Sequence, residues 1–229
     1  MPTPSLYRIG IDEKWSLVDL YQFPHAYTHV YAFLYSLTQT GRLSEAAVAE
    51  TYRRYPWRGG YSAVNFYGEL YYAMKEEHQP MVHSIRYSSP GYIELAVVAA
   101  VARQIEKIVK TIAKCADIAD ATYDRIYKRA QKRKLLALDV KRREREFERE
   151  EIEFIVASSK ELSKLLEFED LERLEARTQD HLGTLKILLS FYRRTRELVE
   201  FYESRKVIFD QESPQIEDKP PTELPIVET

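Results

Sequence analysis

One cysteine, Cys115, stands in 229 residues, so no disulfide can form within the chain. The opening segment MPTPSLYRIGIDEK has neither the basic start nor the apolar run of a secretion signal. Together these absences predict a cytoplasmic protein. An excess of one charge is also missing: 34 Lys/Arg meet 36 Asp/Glu, a net of −2. No global field therefore draws the chain to nucleic acid or to an anionic membrane, and any such role must come from a local patch. Nor is there a long hydrophobic run. The longest uncharged stretch, residues 20–41, is broken by Pro24, His25 and His29. The most apolar stretch, residues 95–102, is far below the roughly 20 residues a spanning helix needs.

Glycine and proline are both absent from residues 92–182, and every glycine except Gly183 lies at or before Gly91. The chain therefore has two regimes. In the first, residues 15–21 (WSLVDLY) read as a short strand, and Pro24 is placed to open a helix on which Tyr27, Val30, Tyr31, Leu34 and Leu37 recur at helical spacing. A second helix is expected from Ser44 to Tyr55, before Pro56, and a third from Ser62, with Val64, Tyr67, Tyr71 and Met74 on one stripe. Residues 81–87 and 92–97 read as strands around Ser88-Ser89-Pro90-Gly91, where Pro then Gly suits a type II turn. A lone hairpin is marginal in water, so it should borrow a strand from the N-terminal segment or lie on the helices.

The second regime reads as helix. Val98, Val101, Ile105, Ile108, Ile112, Cys115, Ala119, Thr122 and Ile126 step by three and four, as in a coiled-coil seam. Ser158 followed by Glu161 fits a capping box, which places a break near Ala157. A further seam runs through Leu171, Leu174, Thr178, His181, Leu185, Leu188, Tyr192, Thr195, Val199 and Tyr202, with Gly183 as a weak point. The expected architecture is α+β but mainly α. It has an N-terminal module over residues 1–97, with three helices and a short hairpin or sheet, then a long antiparallel helical hairpin over 98–211. Residues 212–229 hold four prolines and five acidic residues against one lysine, the composition of a disordered tail.

Residues 55–72, YPWRGGYSAVNFYGELYY, carry the densest unusual chemistry. Gly59 and Gly60 could expose backbone N–H groups to an anion beside Arg58. However, the spacing matches neither the P-loop nor GxGxxG. The preferred reading is a corner in which Pro56 ends a helix, the glycines turn the chain and Trp57 staples it to the core. His25 and His29 stand four apart, a spacing that can share zinc, but Ala26 occupies the place of a metalloprotease glutamate. On a helical wheel both point away from the Tyr27–Leu37 stripe and should face solvent. His78, His83 and His181 show no nucleophile or carboxylate to orient them. No catalytic residue, cofactor or metal is expected.

Residues 125–149 hold eleven Lys/Arg against four acidic residues, while residues 150–180 hold ten acidic against four basic. A reversal between them would pair the charges internally, which is preferred over nucleic-acid binding because the neighbouring aromatics are too sparse for a stacking platform. The candidate partner-binding residues are Trp57, Arg58 and Tyr61 at the corner, with Lys128, Arg129, Lys132, Arg133, Arg142 and Arg143 on the basic helix.

Over residues 12–102, WRGGYSAVNFY followed by HSIRYSSPGYIEL resembles uncharacterised bacterial proteins that carry PW-x-GGYSAVNFY and Y-x-SPG-x-IEL segments. The resemblance implies a bacterial accessory factor of the kind found in defence or mobile-element loci, and it carries no site residues. The expected function is that of a non-enzymatic interaction protein, acting through helical self-association or partner docking. The alternative is a nucleic-acid-binding accessory protein using the basic helix.

Overall fold

The computed structural model describes residues 4–38, 42–55, 57, 60–140 and 146–209. Among these the chain is mainly helical, with eight α-helices beside one four-stranded antiparallel sheet. The order is β1 (Ser5–Ile11), α1 (Leu17–Leu37), α2 (Arg42–Arg54), α3 (Gly60–Ala73), β2 (Met81–Arg86), β3 (Gly91–Val97), α4 (Ala99–Lys114), α5 (Ala116–Lys132), α6 (Arg149–Leu165), α7 (Leu171–Thr178), α8 (His181–Glu203) and β4 (Val207–Ile208). Short 3-10 turns lie at Glu76–His78 and Leu135–Ala137. The tail from 212 lies outside the described residues.

The hairpin borrows its third strand from the N-terminus, though not from WSLVDLY. Strand β1 pairs with β3 from Ser5↔Val97 to Ile11↔Gly91, and β4 pairs with β1, giving the order β2-β3-β1-β4. Residues 17–21 begin α1 instead of forming a strand, because Ser16 and Asp19 make a capping box. The Asp19 N–H donates to Ser16 Oγ at 3.1 Å, and the Ser16 N–H donates to Asp19 Oδ2 at 2.8 Å. Pro24 therefore sits inside the helix and does not open it. The β2–β3 turn is not type II, since Gly91 lies outside the positive-φ region that such a turn requires. Glycine is needed there for close approach: a Cβ would meet the Ser88 carbonyl oxygen at 2.7 Å, with the Arg86 carbonyl oxygen nearer still.

In place of a two-helix hairpin, the described residues between 99 and 203 form five α-helices. The first seam is interrupted at Cys115, whose φ of −136° and ψ of 37° end α4 and start α5. Ser158 does not break the chain. It is buried inside α6, and its neighbour Ser159 returns its hydroxyl to the Ile155 carbonyl at 2.9 Å, a bond that lets serine sit within a helix. The second seam breaks at Gln179, in the left-handed region, and Asp180 then caps α8 by accepting from the Gly183 N–H at 2.6 Å. Gly183 is thus a first-turn residue and not a mid-helix weak point.

Helix α8 is buried on nearly every side from Leu182 to Tyr192 and packs against α4, α6, α1 and α7. Both seams are therefore covered by other parts of the same chain. The inner face of the sheet, Ile9, Ile11, Ile93, Leu95 and Val97, belongs to the same buried cluster as the helices. Tyr31 of α1 joins the layers: its hydroxyl donates to the His78 carbonyl at 3.1 Å and accepts from the Val98 N–H at 2.9 Å.

Candidate functional site

The first turns of α1 and the end of α3 border a groove of about 380 Å³. Leu17, Tyr21, His25 and His29 succeed one another at intervals of four and so share one face of α1. Their rings form a ladder: Tyr21 stacks on His25 at 5.5 Å, His25 meets His29 at 4.1 Å, and His29 stacks on Tyr67 of α3 at 5.5 Å. Across the groove, α3 contributes Gly68, Tyr71 and Tyr72. Nothing lies within 4 Å of a Cβ built at Gly68, so the missing side chain leaves open space.

The outer end of this face is apolar and uncovered. Leu17 is 85%, Val18 58%, Tyr21 68% and Tyr72 79% exposed, and Leu20 is partly so. The inner end is closed: His29 is only 6% exposed, not solvent-facing as the helical wheel predicts. Helix α1 is covered on two sides, by the core along Tyr27 and Val30 and by α3 along His29 and Phe33, which a single-stripe reading misses. Burial, then the neighbouring His25 and Arg194, pull the His29 imidazole down to about 3. His25 is lowered in the same sense, first by burial and then by Arg194, with Glu197 opposing. Both rings are accordingly neutral at neutral pH. Neither has a hydrogen bond to a described residue, and His29 Nδ1 is sealed from solvent.

A third histidine, His78, does acquire the partners that sequence reasoning could not find. Tyr35 Oη and His78 Nδ1 are 2.5 Å apart, and His78 Nε2 lies 3.6 Å from the Glu77 carboxylate. Burial, then the nearby Glu77, raises the Tyr35 hydroxyl, which therefore stays protonated. Tyr35 is 2% exposed and His78 5%, so the group is enclosed and acts as a latch that holds the Glu76–His78 turn on α1.

The corner residue Trp57 is buried, with φ of 53°, and packs edge-to-face on Phe66 at 4.6 Å. Its carbonyl accepts from the Lys186 ammonium at 2.8 Å, and the same Nζ donates to the carbonyls of Leu136 at 3.1 Å and Leu138 at 2.5 Å. Burial pulls Lys186 down to about 8, with Asp139 opposing. Arg58, Arg142 and Arg143 lie outside the described residues, as does the side chain of Tyr61.

Lys128, Arg129 and Lys132 are exposed on the last turns of α5, and Arg133 is its C-cap. Lys128 pairs with Asp124 at 2.9 Å, and Arg133 stands over the Phe154 ring at 5.0 Å. Arg125 pairs with Glu161 of α6 at 2.5 Å, so the basic and acidic stretches do meet there. A further apolar exposure lies on the edge strand β2, where Val82 and Ile85 pair with the buried Leu95 and Ile93 but are themselves 57% and 56% exposed.

Among the described residues no three His, Cys, Asp or Glu gather as a metal cluster, and no helix is long and apolar enough to cross a membrane. No protein-family pattern, curated protein or solved structure matches the chain.

Proposed function

We propose that this chain is a non-enzymatic interaction protein that docks a protein partner on the apolar mouth of the α1–α3 groove. The observation that carries this reading is the exposure of Leu20, Tyr21 and Tyr72 in the lining of one ring-lined groove, with Leu17 and Val18 exposed on the preceding turn of α1. Large apolar side chains exposed singly are ordinary, whereas several around one groove mark a binding surface. Tyrosine favours such a role, because it adds contact area with little rotamer entropy and keeps a polar tip for water. Docking through helical seams, the route expected from the sequence, has less support, since those seams pack inside the chain. A role beside other factors in a defence or mobile-element locus remains part of the proposal.

The test is co-purification of the tagged chain against a Leu17→Ser/Tyr21→Ser/Tyr72→Ser variant. A partner retained by wild type and lost by a variant of unchanged melting temperature supports the reading. A partner retained equally by both contradicts it.

The second reading is nucleic-acid binding by α5, favoured by the exposure of Arg129 and Lys132 and weakened by the Lys128–Asp124 and Arg125–Glu161 pairs. It requires binding that weakens steeply with salt and that Arg129→Ala/Lys132→Ala reduces.

A further inference from the structure

His25 and His29 ask for an explanation that packing does not supply. A phenyl ring at position 29 would stack on Tyr67 as well as an imidazole does and would not bury a polar group, since ring stacking depends on the π face and not on ring nitrogens. Native interiors seldom leave a buried polar atom without a partner, and where they do an unseen ion or water is a usual reason. Here His29 Nδ1 has no hydrogen-bond partner among the described residues, and its ring lies 4.1 Å, centroid to centroid, from that of His25. The two stand one helical turn apart, the spacing at which a pair of histidines on a helix can hold the same ion.

We infer that His25 and His29 together bind a divalent transition-metal ion of the zinc, nickel and copper class at the closed end of the α1–α3 groove, its other coordination positions being left to water or to donor atoms of a docked molecule. Several features favour this. Imidazole is a preferred ligand for these borderline ions, and it binds them only in its neutral form. Both rings line the groove, which provides space beside them, and Gly68 opposite adds no side chain to fill it. Arg194, the cation that acts on both rings, is itself paired with Glu197 at 2.8 Å, which offsets its repulsion of a bound ion. With two protein ligands the site is open, not a closed structural site of four. It would therefore exchange its ion and present it to whatever enters the groove.

The inference does not rest on partner docking. Loss of ion binding would leave the docking surface intact, and loss of docking would leave the ion site intact.

The experiment uses the full chain without a histidine tag, stripped with chelator and titrated with Zn²⁺ and separately with Ni²⁺ by calorimetry near pH 7.5. The expected result is saturable binding with a rise in melting temperature, since an ion that binds only the folded chain stabilises it by mass action. His25→Ala is expected to lower the affinity at least tenfold while leaving the ion-free melting temperature unchanged. His83→Ala and His181→Ala, which alter exposed histidines, are expected to bind like wild type. With Cu²⁺ the paramagnetic resonance spectrum should show coupling to two ring nitrogens in wild type and to one in His25→Ala. Absence of saturable binding, binding that survives His25→Ala, or binding abolished by His83→Ala or His181→Ala would overturn the proposal.

Discussion

Trp57 and Lys186 hold one corner between them, the indole by packing on Phe66 and the ammonium by gathering three carbonyls. Trp57→Ala is expected to cost about 3–5 kcal/mol in urea denaturation, because it empties a buried aromatic site. Lys186→Met keeps much of the volume but leaves those carbonyls without their donor, so at least about 2 kcal/mol should be lost. His29 gives a pH signature. The folded imidazole takes a proton only near 3, whereas an unfolded histidine does so near 6.5. Between those values the unfolded chain binds the extra proton, so the stability associated with neutral His29 is complete above about 6.5 and is lost as pH falls toward 3. His29→Phe should therefore lose melting temperature less steeply than wild type between about pH 6 and pH 4; parallel acid limbs would show that His29 is not held neutral. The importance of Trp57 is legible in the sequence, as a lone Pro-Trp between helices. Lys186 is not, since nothing in LKILLSF reveals three carbonyls brought from residues about 50 and 129 positions away.

At the scale of elements, local signals and tertiary packing compete, and their outcomes differ along the chain. Helix α2, helix α3 and strands β2 and β3 are legible because periodicity, proline and glycine agree there. WSLVDLY fails as a strand because Ser16 and Asp19 satisfy the N-terminal amides of a helix, and a period-two reading of a short segment does not weigh that. Ser16→Ala should accordingly destabilise the chain by about 1 kcal/mol, measured by thermal unfolding. The break at Cys115 has no local cause in glycine or proline, so a reading of the seam alone does not find it. Gly68 offers the converse test. It is a helical glycine whose Cβ would meet nothing within 4 Å. Gly68→Ala should therefore stabilise by roughly 0.5–1 kcal/mol, and a loss of stability would mean that the groove is already filled.

For the whole molecule, the apolar steps of the sequence correctly mark the core but not what it packs against. Ile105 and Leu188 are seam residues in the sequence and fully buried side chains in the fold. Ile105→Ala or Leu188→Ala should cost about 2–5 kcal/mol yet leave the mass measured by light scattering unchanged. A shift in assembly state with either variant would return the seams to the surface. The candidate site was less legible than the core because it depends on α3 crossing α1, which buries His29, exposes Tyr21 and sets Tyr72 beside them.

The most direct measurement of the docking proposal is hydrogen–deuterium exchange of the chain alone and with its captured partner. Docking at the groove requires new protection in residues 17–25 of α1 and 68–73 of α3, whereas protection confined to α5 or to β2, with α1 unchanged, would contradict it.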